Sequence, residues 1–164
     1  MKINRLLLKP NTPTIVEEEI IFPEAIDANH VKRIPSCKVK ATLTDFDDVL
    51  LADLEINAEV IASCAYTLED VPLTKKLKER LSFTSDEEMS DEDLYFEPNN
   101  EIDLDPYIFS FIIASVPHNV HKKGAKLPEP GNGYRVISEE EYLKEQQTKK
   151  HSSPFDALDD LDLG

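Results

Sequence analysis

Between Cys37 and Thr44 the chain alternates. Cys37, Val39, Ala41 and Leu43 fall on one side, and Lys38, Lys40, Thr42 and Thr44 on the other. A period of two predicts a half-buried strand with one basic-polar face. The run Asp45-Phe46-Asp47-Asp48 has the composition of a tight turn. Alternation then resumes from Val49 to Cys64. Leu54, Ile56, Ala58, Val60, Ala62 and Cys64 share one face, and Glu55, Asn57, Glu59 and Ser63 the other. Two alternating runs joined by a short turn predict an antiparallel hairpin. The phase carries Cys64 to the core side of the second strand.

Beyond Cys64 the period is mixed. Val71, Leu73, Leu77, Leu81 and Phe83 fit a strand if Lys75 and Glu79 are tolerated on its inner side. Leu73, Leu77 and Leu81 also fit a helix at i, i+4, i+8. The strand reading is preferred, and it lines one face with Thr74, Lys76, Lys78 and Arg80. Thr14 to Phe22 is another β-prone run with an acidic centre, Met1 to Leu8 supports a short strand or turn, and residues 23–29 a loop or helical turn. Residues 85–100 form an acidic segment with the composition of a flexible loop, its end tethered by Tyr95 and Phe96. Asp105 and Pro106 have the cap and first-position chemistry of a helix start. Tyr107 to Ala114 is apolar nearly all round, which predicts a helix buried on more than one side; Pro117 stops it. Residues 117–137 are turn-rich. Ser138-Glu139-Glu140-Glu141 reads as a capping box opening a polar helix to about Lys149. A last short helix is expected from Ser153-Pro154, with Phe155, Leu158 and Leu161 on one face.

The expected fold is α+β: a mostly antiparallel sheet or partly closed barrel carrying a buried apolar helix, with a flexible acidic loop and a C-terminal helical arm. A single domain is expected over residues 1–137 and a polar arm over 138–164. At 164 residues with 40% apolar, such a chain fills a real core. It has no apolar run of about 18 residues, the length that spans a bilayer. Residues 1–8 are too short for a signal peptide. The two cysteines, Cys37 and Cys64, are expected to be reduced thiols of a cytoplasmic protein.

Charge sharpens the picture. The net charge is −15. Ten acids and no base lie between Ser85 and Asp105, and four more aspartates follow Pro154. Without these two attachments the body is nearly neutral. It has no strong long-range attraction for phosphate backbones, and its acidic balance favours basic protein partners. A local basic face remains open: Lys38, Lys40, Lys76, Lys78 and Arg80 on strands, Lys122 and Lys123 (with Lys126) in the glycine-rich arm. Tyr66 and Tyr134 could stack on RNA bases beside them. The bland alternative is that strands place lysine on their solvent face.

Cys64 could act as metal ligand, nucleophile or core thiol. Zinc takes about four ligands, and the chain has Cys37, Cys64 and four histidines with no C-x-x-C pair. His118 and His121 have ligand-like spacing, but the lysines around them oppose a cation. A nucleophilic cysteine requires a base, and none is local in sequence. Residues 86–97 lack the glycine and register of a calcium loop. There is no phosphate-binding glycine loop and no nucleophile elbow. No metal, cofactor, small-molecule substrate or enzymatic activity is expected.

The stretch after the long strand resembles the YceD family of large ribosomal RNA subunit accumulation proteins. That family carries Cys-x-Arg-x-Leu followed by a proline; this chain has Cys64-Ala65-Tyr66-Thr67-Leu68 and Pro72. The family's Asp-Leu-x-Pro opening to an apolar helix looks like Asp103-Leu104-Asp105-Pro106, ending at Val116-Pro117. Its short proline-containing end looks like Ser153 to Leu158. The likeness runs over about residues 15–162, by order and spacing. Two departures stand out. Tyr66 occupies the arginine position, and residues 118–134 lack the cysteines of the metal-suggesting members. The chain thus resembles the cysteine-poor branch, for which no metal is implied. The resemblance implies a non-enzymatic role in 23S ribosomal RNA accumulation and large-subunit biogenesis. The expected partner is a ribosomal protein, a large-subunit precursor or rRNA. The contrasting expectations are an acidic protein-interaction adaptor with no ribosomal role, and an enzyme using Cys64.

Overall fold

A computed structural model describes residues 1–26, 28–127, 131–133 and 135–148. The chain divides into two compact units, Met1–Gly124 and Ala125–Gly164. The first holds seven strands and a helix: β1 (Lys2–Asn4), β2 (Thr14–Glu19), β3 (Val31–Asp45), β4 (Val49–Ser63), β5 (Asp70–Thr84), β6 (Leu94–Phe96), β7 (Glu101–Asp103) and α1 (Asp105–Ser115). The main sheet runs β2-β3-β4-β5-β6, and β1 pairs with β7 in a separate ribbon. Of the pairings between these described strands, β5–β6 alone is parallel.

The hairpin predicted from alternation is present, and its register explains its packing. Large and small inner-face residues meet across the ladder: Leu43 faces Ala52, Ala41 faces Leu54, and Ala52 faces Leu81 on the far side. All are buried, so the row fills without overpacking. The competition of periods in 71–83 resolves as strand, because β4 offers 15 residues of backbone partners. Lys75 is tolerated on the inner side because its Nζ donates to the Ser115 carbonyl at 2.6 Å.

β3 starts at Val31, earlier than the alternation indicates. Its register shifts twice between Val31 and Ser36. Those bulges turn Val31, Ile34 and Cys37 inward at a spacing of three, which hides the strand from a period-two reading. Ahead of it, Asn29 and His30 both have positive φ (48° and 62°) and the Val31 N–H returns to the Ala28 carbonyl at 2.9 Å. This is a tight turn for which asparagine is well suited.

Three expectations are corrected. The sheet is open rather than a partly closed barrel. β2 covers only Lys38–Leu43 of β3, and β6 only Ser82–Thr84 of β5; closure requires the outermost strands to pair. The inner face is covered instead by other elements: Ile3 of β1, Ile102 of β7, and Leu104, Ile108, Ile112 and Val116 along α1 are buried. Second, α1 is buried on one side, with Pro106, Ser110 and Ala114 forming an exposed stripe. Its apolar composition conceals a four-residue repeat of small or polar positions. Third, Asp105 is the first helical residue and not the cap. Asp103 Oδ1 receives the Asp105 N–H at 3.0 Å, while the Asp105 carboxylate pairs with the Met1 ammonium.

The acidic segment carries a short 3-10 turn at Glu87–Met89 and strand β6. Tyr95 anchors it, its ring lying 5.9 Å from Phe83 and 5.2 Å from Tyr107. Phe96 pairs through its backbone with Thr84 but leaves its ring half exposed. In the second unit α2 spans Glu139–Thr148. The capping box forms as read: Ser138 N–H donates to Glu141 Oε2 at 3.1 Å, and Glu141 N–H to Ser138 Oγ at 3.2 Å. Tyr134 and the expected helix after Ser153 lie outside the described residues. Among the described residues no helix is long and apolar enough to cross a membrane.

Candidate functional site

Strand β4 ends at Ser63, and the chain turns through residues 64–69 into β5. The Cys64 N–H donates to the Glu69 carbonyl at 2.8 Å and the Leu68 N–H to the Cys64 carbonyl at 2.9 Å. Leu68 takes φ +57° to close the turn, and its side chain is exposed. Cys64 is fully buried, as its phase in β4 requires. Its sulfur receives the backbone N–H of Lys122 at 3.4 Å, and the Thr67 hydroxyl beside it donates to Glu69 Oε2 at 3.1 Å. The polar surroundings of the sulfur, Thr67 first and the Lys122 N–H next, draw the thiol down from 9.0 to about 7 against the effect of burial. Cys37 behaves oppositely: burial first, then Asp105 and Glu19, push it up from 9.0 to about 11. Both are free thiols. Cys37 faces Ala58, so it lies about 20 Å along the ladder from Cys64, beyond disulfide reach.

The turn is fastened to the segment after α1. The Ala65 N–H donates to the Val120 carbonyl at 2.8 Å. The Tyr66 ring stacks on His121 at 4.1 Å. Lys122 Nζ meets Glu69 Oε2 at 3.2 Å, and this bond, then that from Thr67, holds the Glu69 carboxyl below its usual range. Lys32 adds a bond to the Leu68 carbonyl at 2.9 Å and to Asp70 at 2.6 Å. Tyr66, at the position where the resembled motif has arginine, therefore has a ring partner. Pro72 is exposed near the start of β5. Among the described residues no three histidine, cysteine or acidic side chains come together as a metal site.

The cations singled out in the sequence do gather, but with acids between them. Lys38 and Lys40 of β3 and Lys76, Lys78 and Arg80 of β5 share the outer face of the sheet. Between and beside them stand Asp53, Glu55 and Glu59 of β4 and Glu17 and Glu19 of β2. One row reads Glu17, Lys40, Glu55, Lys78 across four strands. Lys40 meets Glu17 at 3.5 Å, Lys78 meets Glu55 at 2.7 Å, and Arg80 meets Asp53 at 2.6 Å. The Lys78 bond lowers the Glu55 carboxyl, and its partner raises Lys78 in turn. Five cations and five acids thus make a locally neutral face, with a shallow depression of about 410 Å³ between Glu17, Glu19, Lys38, Lys40, Glu55 and Asn57. Lys122 and Lys123 are not part of it; they sit at the Cys64 end.

Alternation places Glu55 and Glu59 on the polar face of the second strand but does not set them against the lysines. The turn at 45–48 fixes the register; counting outward from it places Lys40 opposite Glu55, and the same count through β5 places Glu55 opposite Lys78. The Cys64–Lys122 and Tyr66–His121 contacts join residues 55 or more positions apart, and no local pattern signals them.

The sequence pattern of one family, large ribosomal RNA subunit accumulation protein YceD, matches residues 52–162. The chain is also similar to YlbN of Bacillus subtilis (strain 168), described as an uncharacterized protein. Identity is 27% over 134 residues, covering 73% of this chain and 77% of that protein. No solved structure matches.

Proposed function

Because this chain belongs to the YceD family, we propose that it is a non-enzymatic binding factor that supports 23S ribosomal RNA accumulation and large-subunit biogenesis in the bacterial cytoplasm. The observation that carries this is the family match itself. It spans most of β4, all of β5, the acidic segment, α1 and the residues that close over Cys64. The geometry at Cys64 supports a structural part for that residue. Its sulfur is enclosed and met by hydrogen-bond donors, whereas a nucleophile must be open to its substrate.

The partner is a ribosomal protein or a precursor particle presenting one, in preference to bare rRNA. Lys40, Lys78 and Arg80 are each opposed by an acid, so the sheet face offers few counterion-releasing contacts to a phosphate backbone. The decisive experiment is depletion in cells, followed by sucrose-gradient profiling and 23S quantification. A fall in mature large subunits and in 23S rRNA is expected. Unchanged levels would remove the ribosomal role and leave the alternative, an acidic adaptor acting on other proteins.

A further inference from the structure

The end of the sheet opposite Cys64 is built differently from the outer face. Here the β3–β4 turn, residues 5–11 and the start of the acidic segment come together. Arg5 reaches across, its Nε at 3.0 Å and Nη2 at 2.7 Å from Asp45 Oδ1, and it also donates to the Asp47 carbonyl. The Asn11 N–H donates to the Asp45 carbonyl at 2.7 Å, and the Arg5 N–H to that of Asn100 at 2.8 Å. Val49 pairs with Thr84, and the acidic segment leaves and returns there: Asp86 N–H donates to Thr84 Oγ1 at 3.1 Å and Glu97 N–H to the Thr84 carbonyl at 2.8 Å.

Two properties coincide at this end. One is exposed apolar surface: Leu6 is 73% exposed, Leu7 81% and Phe46 47%. Beside them is a cleft of about 470 Å³ lined by Leu6, Leu8, Pro10, Asp47, Ser85 and Asn100 over the Arg5–Asp45 pair. The other is unbalanced charge. Asp47, Asp48 and the acids from Asp86 to Glu97 form no ion pair among the described residues. Of the nearby cations, Arg5 is held by Asp45, which leaves Lys9. Elsewhere in this unit Glu17, Asp53, Glu55, Glu69, Asp70 and Glu101 each meet a base.

We propose that this cleft, lined by Leu6 and Leu8 and flanked in the chain by the exposed Leu7 and Phe46, docks a Lys/Arg-rich polypeptide segment that inserts an apolar side chain beside the leucines. Charge selects the occupant. The acids repel RNA, an anionic membrane and a second copy of this chain alike, and they attract a cationic polypeptide. The exposed leucines supply apolar surface against which such a segment buries a side chain. The inference rests on the reading of the chain as a binding factor for large-subunit assembly, and gives that reading a surface and a partner chemistry.

The test uses the full chain and fluorescence anisotropy with three labelled probes: a twelve-residue peptide of lysine and arginine containing two leucines, the same peptide with serine for leucine, and a twelve-nucleotide RNA. The leucine-containing peptide is expected to bind, and the serine peptide to bind at least tenfold more weakly. Leu7→Ser, and separately Asp48→Lys with Glu87→Lys, should each weaken the leucine peptide by a similar factor, while Lys40→Glu on the outer face should not. These positions are exposed, so Leu7→Ser remains informative if the double variant folds poorly. Equal affinity for both peptides, indifference to Leu7→Ser, or tighter binding of the RNA would overturn the docking site. The depletion experiment reads the ribosomal role alone. Peptide binding with unchanged large subunits would remove that role, whereas lost large subunits without peptide binding would remove only the site.

Discussion

Cys64 concentrates the residue-scale physics. Its thiol is drawn down to about 7 by its polar neighbours, Thr67 first and the Lys122 N–H next, and an unfolded chain would return it toward 9.0. Between these values the unfolded state binds more protons than the folded one, so stability rises with pH. This contribution is full above about pH 9 and lost as pH falls through about 7. Cys37, raised to about 11, acts in the opposite sense and only above pH 9. Urea unfolding from pH 6 to 9 should therefore show the stability gap between wild type and Cys64→Ala widening with pH; a flat gap contradicts the donor nest. Arg5 gives a second prediction at this scale. It and Asp45 are only 11% and 12% exposed, so Arg5→Ala strands a carboxylate in a poorly solvated site. A loss of about 3 kcal/mol is expected in chemical denaturation, most of it from the unpaired charge. The core phase of Cys64 was legible from alternation. Its donors were not, because Lys122 comes from a loop that only the folded chain brings near.

Elements show where local pattern suffices and where it fails. β4 and the second half of β3 alternate cleanly and fold as read. The first half of β3 does not, because bulges around Pro35 change which residues face inward. Helix α1 presents a subtler case, since its sequence suggests burial all round while Pro106, Ser110 and Ala114 face outward. Its last turn depends on distant donors. Asn29 Nδ2 reaches the Ile113 and Val116 carbonyls at 3.1 and 2.9 Å, and Lys75 reaches that of Ser115. Helix ends leave such carbonyls unpaired. Asn29→Gly keeps the positive φ and removes both bonds, so it should cost about 1–2 kcal/mol and speed amide exchange in residues 112–116. Exchange unchanged there would show that solvent serves equally well. In the core, Leu54→Ala should cost about 2–5 kcal/mol by thermal or urea unfolding, because Leu54 is fully buried between Ala41 and Glu79 on the inner face.

For the whole molecule, charge distribution matters more than net charge. The outer sheet face is a lattice of alternating signs, while the turn end is acidic with exposed leucines. A twelve-nucleotide RNA should accordingly bind wild type more weakly than about 100 μM at low salt, outside even the usual non-specific range. Tight, steeply salt-dependent binding would show that the cations act against their neighbours. Alternation by itself determined β4, the second half of β3 and the core side of Cys64, and local spacing the capping box, because these depend on residues close in sequence and on a period that burial imposes. The ordered motifs carried the family. Tertiary structure decided the rest: β5 as a strand, the open sheet, the β1–β7 ribbon, the single buried side of α1, the Lys122 N–H at Cys64, and the acids opposite Lys40, Lys78 and Arg80. Those depend on which strands lie side by side and in what register. That choice is made by packing between segments far apart in the chain, to which a local period is blind.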